Sequence, residues 1–453
     1  MKAGFAVADI TPEPGIYLTG YGRPERIATG VHSPLNATVM VLQDQEKTVA
    51  AIGFDWCSMD NLLAQEIRQG ISAASGIPEE NILMGCSHTH SAPHTTYARS
   101  LGRTTVDPEN KGLAYAKNSI PVVAEAVCRA IGSLQEAEAA FAAGKTKTGI
   151  SRRGLDENGA ISYFFIGDPD LIYDSNMTTV LFRNRETHEN IGILVHCSSH
   201  NTCMGGFDRN ISSDWCGVMR RRVNQRYSVP VLFLNGACGD VGPRTNRPVV
   251  NATMRAFGAG GGDGPASAEE VGYRAATDAL RILEDVRDFR SDLPLKANTS
   301  SITLPQSVSM SVEEANQVIA RLESKAKDGA EPPMDYQVAQ AALEAWKQPP
   351  QPEFSFEHTM ISFGPVALVP FPFEMFSVFS LRLRKYGPFE YTLLCSNTNG
   401  YYGYMPDRGA IAVGGYEVSS RRVNRPYVLK PEAGDLTVTQ SLKSLREMNG
   451  SAN

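Results

Sequence analysis

Five apolar runs, spread from residue 81 to residue 395, each stop abruptly at small, polar or titratable residues, and this pattern limits the folds open to the chain. They are Asn81 to Cys86 before Ser87-His-Thr-His90, Asn190 to Cys197 before Ser198-Ser-His200, and Val229 to Asn235 before Gly236-Ala-Cys-Gly-Asp240. The other two are Met360 to Val369 before Pro370-Phe-Pro-Phe-Glu374, and Leu394-Cys395 before the stretch ending in Gly400-Tyr-Tyr-Gly-Tyr404. Short apolar runs bounded by turn-forming residues read as buried strands. In α/β proteins, sites gather beyond the carboxyl ends of strands. One cleft holding all five ends would be built by the whole chain, which predicts a single catalytic domain over residues 1–453.

The intervening segments predict an α/β alternation. Residues 37–42 and 49–54 read as paired strands around a turn. Helices are expected at about 61–74, 120–134, 268–286, 375–385 and 435–447, with Glu374 in the first turn of the fourth. The charged, proline-rich stretch at about 311–353 reads as a helical insertion ending in Gln348-Pro-Pro-Gln-Pro352. The glycine-rich stretch 256–266 lacks the Walker lysine and the GxGxxG spacing after a strand, so it reads as a surface loop and not as a phosphate cradle.

Charge narrows the partners. The net charge is −6 and no Lys/Arg block occurs, which argues against a nucleic-acid surface and for a small-molecule substrate. No run of about eighteen apolar residues exists, so no transmembrane segment is expected. Asp9 and Pro12 arrive before an apolar signal core can form, and the expected location is cytoplasmic. The eight cysteines are scattered without a CxxC pair and read as buried free thiols, in keeping with a reducing compartment.

Three of the eight histidines, His88, His90 and His94, fall within seven residues at the first strand end. On an extended segment His88 and His90 point the same way, so both can serve one metal ion, or one binds it while the other faces the substrate. Two histidines do not complete a zinc site. His32 and His196 read as core histidines, and His94, His188 and His358 as peripheral ones.

Taken together, Ser87-His-Thr-His-Ser-Ala-Pro93, His200-Asn-Thr202, Asn235-Gly-Ala-Cys-Gly-Asp-Val-Gly-Pro243, Phe371-Pro-Phe-Glu374 and Gly403-Tyr404 with Tyr416-Glu417 resemble the catalytic domain of the neutral/alkaline, non-lysosomal ceramidase family. The opening motifs Asp9-Ile-Thr-Pro12, Gly20-Tyr-Gly22 and Gly30-Val-His-Ser-Pro34 extend the likeness over nearly the whole chain. The resemblance implies mixed β-sheets layered between α-helices, with the active site at the strand C-terminal ends. It also implies a Zn2+ ion held by His88, His200, Glu374 and Tyr404, with His90 and Tyr416 as active-site residues. An arginine that faces the substrate in the family matches Arg152 or Arg153, and the sequence leaves that choice open. The chain departs from the pattern at Gly242, where ceramide-cleaving members carry serine, and it does not represent the β-rich C-terminal domain of longer members.

Beside the resemblance, Asp240 on the Gly-Asp-Val turn is a candidate to orient a ligand or take a proton, with Asp55 a second candidate for that task. Tyr401 and Tyr402 read as cleft walls, and Gly242 and Tyr402 as substrate-facing positions. The functional expectation is a zinc-dependent hydrolase that cleaves an amide (N-acyl) bond with a metal-activated water. Two alternatives stand beside it: a zinc hydrolase of an ester or glycosidic bond in a soluble polar substrate, and a non-catalytic zinc- or ligand-binding protein.

Overall fold

A computed structural model describes residues 1–21, 26–96, 107–156, 158–161, 167–168, 170–245, 264–323, 334–419, 422–424 and 426–450. Most of the glycine-rich stretch 256–266 and the middle of the expected insertion lie outside the described residues.

Two sheets carry the fold. The larger runs, edge to edge, Val231–Asn235, Asn190–Cys197, Asn176–Asn184, Gln135–Lys145, Lys2–Asp9, Asn36–Gln43, Thr48–Phe54 and Ile82–Cys86. Its two outermost pairs are parallel and its inner pairs antiparallel. Parallel pairing needs a crossover, and helices supply it: Asn61–Ser75 before Ile82–Cys86, and Asp214–Tyr227 before Val231–Asn235. The sheet curls until its ends meet, so that a Cβ on Gly53 would lie 2.6 Å from the Phe233 carbonyl oxygen. The second sheet runs Tyr391–Cys395, Val366–Pro370, Glu353–Phe363, Leu295–Val308, Tyr427–Leu429 and Arg422–Asn424.

The two sheets pack face to face through Phe5, Leu42, Leu83, Phe182, Phe363 and Leu368, among others. Helices Asn61–Ser75 and Lys111–Gly132 cover one outer stretch of the larger sheet, and Asp214–Tyr227 and Pro265–Glu284 cover another. Ser377–Tyr386 and Ala433–Asn449 cover the far face of the second sheet. This is the expected arrangement of mixed sheets between helices.

Several local expectations shift. Glu374 is not in a helix: Glu374–Met375 forms a two-residue parallel bridge with Tyr404–Met405, and the helix begins at Ser377. The long-range pairing overrides local helical preference. The stretch 311–353 does contain two helices, Val312–Glu323 and Met334–Trp346, which pack on each other. All eight cysteines are free, and Cys128 is exposed where a buried thiol was expected. Among the described residues, no helix is long and apolar enough to cross a membrane.

Candidate metal centre

His88 follows the strand Ile82–Cys86, whose parallel neighbour Thr48–Phe54 continues to receive it: the Ser87 N–H donates to the Phe54 carbonyl and the His88 N–H to that of Trp56. The backbone at His88 adopts φ 71°, a left-handed conformation uncommon for a residue with a side chain. One residue on, Thr89 forms a parallel bridge with Asn201, which sets His88 and His200 at equivalent positions on adjacent segments. From the other side, the bridge Glu374↔Tyr404 sets the carboxylate beside the phenol. Two histidines from the larger sheet thus meet two oxygen donors from strand ends of the second.

The convergence is close. His200 Nε2 lies 2.9 Å and His88 Nε2 3.3 Å from the same oxygen, Glu374 Oε2, and all three side chains are buried. Each imidazole has already committed its other nitrogen: His88 Nδ1 donates to the Cys57 carbonyl at 2.7 Å, and His200 Nδ1 to that of Cys238 at 2.6 Å. With each Nδ1 spent on a carbonyl, a neutral ring turns its Nε2 lone pair to Glu374 Oε2. Burial works to lower His88, but Cys57 and Glu374 outweigh it and raise it well above the usual imidazole range, so without a cation a proton sits on His88, where a metal ion would take its place. Among the described residues, neither His200 Nε2 nor Glu374 Oε2 has a hydrogen-bond partner. Burial, and then the Arg152 guanidinium, push His200 down to about 4, so its ring is neutral at ordinary pH. Burial works to raise Glu374, but His88 and His200 outweigh it and hold the carboxyl well below its usual range. Two ring nitrogens and a carboxylate oxygen converging on one point in a buried pocket fit a cation, and two imidazoles with a carboxylate are a recognised zinc set.

Tyr404 completes the group with its ring parallel to that of His200, centroids 6.5 Å apart. Its hydroxyl accepts a hydrogen bond from Arg152 Nη2 at 3.0 Å. Tyr416 meets the Tyr404 ring edge-on at 5.8 Å. The question between the two arginines resolves into a shared device. Arg152 Nε donates to one oxygen of the buried Glu417 carboxylate at 3.0 Å, Arg153 Nη1 to the other at 2.6 Å, and Arg153 Nη2 to the Gly414 carbonyl. His90 stands with Nε2 3.4 Å from His88 Nε2 and, among the described residues, its buried Nδ1 has no partner. Tyr21 packs edge-on to the His90 ring, which occupies the space where a Cβ on Gly20 would lie.

Other predicted residues take different places. The Asp240 carboxylate accepts from the Ser377 N–H at 2.9 Å and the Ser377 hydroxyl at 2.8 Å, capping the helix after Glu374, and burial pushes it up to about 7 against those bonds. Asp55 is committed to Arg220 and to the Asn36 N–H. Gly242 lies in a short strand antiparallel to Gly149–Ser151, so its backbone runs beside the segment that delivers Arg152. Tyr402 packs edge-on against Phe354 at 4.6 Å, in the second apolar core, while its neighbour Tyr401 reaches the centre and donates to Glu374 Oε1 at 2.6 Å. His196 is a core histidine bonded to the Leu394 carbonyl, as expected. His94 and His358 are buried where peripheral positions were expected. Tyr401 was read as a cleft wall and Glu417 only as part of the Tyr416-Glu417 motif, with no role at the centre for either. Both sit beside residues that were given one.

A family model described as neutral/alkaline non-lysosomal ceramidase, N-terminal, matches residues 1–285, the part that contributes His88, His90, Arg152, Arg153 and His200. No curated protein sequence matches the chain. The crystal structure of neutral ceramidase from Pseudomonas aeruginosa superposes with a TM-score of 0.74 at 16% identity, covering 99% of this chain and 74% of that one. A structure titled as ceramidase complexed with C2 gives 0.73 at 16% identity, covering 98% and 75%. At that identity the likeness speaks for the fold, which both chains share through the second sheet as well. With the family model spanning well over half its length, the chain belongs to the neutral/alkaline non-lysosomal ceramidase family.

Proposed function

We propose that this protein is a zinc-dependent hydrolase of an amide (N-acyl) bond, with one catalytic domain whose ion is held by His88, His200, Glu374 and Tyr404. The observation that carries the reading is the approach of His88 Nε2 and His200 Nε2 to one buried oxygen, Glu374 Oε2, with each ring held through its Nδ1 by a main-chain carbonyl. When bound, zinc supplies Lewis acidity that activates water near neutral pH and polarises a carbonyl.

The chain supplies the rest. Main-chain carbonyls fix the two imidazoles in the tautomer that ligates. His90, whose Nδ1 has no partner, offers a ring nitrogen that can hold and return a proton beside the ligands. Burial and then Glu374 hold the Tyr404 hydroxyl well above its usual range, and the Arg152 guanidinium beside its oxygen works the other way, as a bound cation would. Gly242 contributes no hydroxyl toward developing charge, so Tyr416 and Arg152 are the donors assigned to that task.

Metal analysis of protein purified without added zinc tests the centre. We expect about one zinc per chain, as a four-ligand catalytic site requires, and its loss in His88→Ala and His200→Ala. Full occupancy in either variant removes that histidine from the site. Turnover should vanish with chelator and return with zinc. A panel of N-acyl, ester and glycoside substrates, run on the wild type beside Gly242→Ser and Tyr416→Phe, tests the bond. Weak wild-type cleavage of long-chain ceramide that rises about a hundredfold in Gly242→Ser is the expected outcome, that being the worth of one transition-state donor. The missing hydroxyl favours one rival, a polar ester or glycoside, and exclusive turnover of that class would replace the amide assignment.

A further inference from the structure

Each imidazole of the centre is held from behind by the main chain, but Glu374 is held by a side chain. We propose that Tyr401 is a positioning residue that confines Glu374 to the metal through a single oxygen, a role that rests on the centre assigned above. The Tyr401 hydroxyl donates to Oε1 at 2.6 Å, the length of a charge-assisted bond to a carboxylate. Among the described residues it is the hydrogen-bond partner of Oε1, while Oε2 faces both Nε2 atoms. The two carboxylate oxygens are therefore divided between two tasks.

The backbone enforces the division. The Glu374 N–H donates to the Gly403 carbonyl at 2.9 Å and the Tyr402 N–H to that of Pro372 at 2.7 Å, so the 372–374 and 401–404 segments are laced together. In that lacing Tyr402 turns into the apolar core against Phe354 and Phe373, and Tyr401 turns onto the carboxylate. A carboxylate free to swing would bind through both oxygens and fill the coordination position that catalysis leaves for water. The hydroxyl of Tyr401 removes that freedom. Tyr401, Tyr402 and Tyr404 thus divide into ligand holder, core filler and ligand within four residues.

Tyr401→Phe deletes one oxygen and keeps the ring. Zinc competition with a coloured chelator on metal-free protein should show affinity reduced about 10- to 100-fold, the usual cost of losing a partner that orients a ligand. The cobalt(II)-loaded variant should show weaker visible bands than the wild type, as the carboxylate becomes bidentate and the coordination number rises. Tyr401→His, which restores a donor, should recover part of the affinity. Affinity and cobalt spectrum both equal to wild type would overturn the proposal. Should Tyr401→Phe not accumulate folded, zinc-edge X-ray absorption on the wild type decides: one carboxylate oxygen near the ion supports the proposal and two overturn it. A wild type that binds no zinc defeats the centre itself, and that result is visible before any Tyr401 variant is made.

Discussion

The larger sheet and the second sheet each give the proposed centre two candidate ligands, and they secure them by different means. On the larger-sheet side, His88 and His200 are oriented by the carbonyls of Cys57 and Cys238. On the other side, Glu374 leans on Tyr401, and Tyr404 on Arg152, which in turn leans on Glu417. A carbonyl is present whatever residue occupies the position, so the imidazole half is insulated from substitution. The oxygen half is written in side chains. Its geometry, and with it reactivity, is where single substitutions can tune the site.

The largest expected effect lies in the oxygen half. Glu417 is buried between two guanidiniums, and Glu417→Gln leaves two cations facing each other out of water. We expect it to cost about 3 kcal/mol or more in urea unfolding of the metal-free protein. Adding Arg153→Ala should return part of that loss. A single variant as stable as the wild type would break the view that this half depends on a side-chain scaffold.

Asp240 tests the boundary, since it lies in the turn after the larger-sheet strand Val231–Asn235 and its side chain caps the helix following Glu374. Its folded value of about 7 lies above the roughly 3.9 of an unfolded aspartate, so between those pH values the folded chain keeps a proton that the unfolded chain has lost. Its contribution is present below about pH 4 and is lost as pH rises through 7. Asp240→Asn keeps an acceptor for Ser377 and cannot ionise. The stability of the wild type relative to Asp240→Asn should therefore fall steadily over that window, in urea midpoints taken from pH 4 to 8. A flat difference would show that burial does not hold the proton there.

The smallest effect is expected behind the imidazoles. Cys238→Ala removes a buried thiol but keeps the carbonyl that His200 uses, and zinc affinity should stay within about threefold of wild type, against the larger losses typical of side-chain partners. A tenfold loss would erase the contrast between the halves.

What the sequence made legible follows the same division. Strand ends were visible because apolar runs stop at polar residues, and His88 and His200 stand at two of them. The full ligand set came from likeness to a family, since nothing local marks Glu374 or Tyr404 as partners 30 residues apart. Their pairing is a bridge between segments, and the helix expected to begin at Glu374 gave way to it. Tyr401 and Tyr402 lie in irregular backbone, where no period says which ring turns inward. Gln135–Lys145 forms an interior strand although its five alanines favour helix, because its neighbours on both sides supply ladder partners. His358 was legible in principle. The strand starts at Glu353, earlier than expected, and alternation from Phe354 and Phe356 carries His358 into the interior, where it stacks on Phe371 at 4.9 Å.

The unpartnered pair His200 Nε2 and Glu374 Oε2 has a consequence for how long the protein lasts as well as for what it does. In the proposed centre, buried atoms that a cation would satisfy make occupancy part of the folding equilibrium, and an ion at a thousand times its dissociation constant adds about 4 kcal/mol to the folded state. Because the ligands come from both sheets, that gain acts across the interface between them. If zinc is the ion of the proposed centre, a chain short of it would face more than lost turnover: its unfolded fraction would rise by the same factor, and proteases would see it. Its abundance in a cell then reads out metal supply, and a preparation exposed to chelator ages faster than its activity alone would suggest.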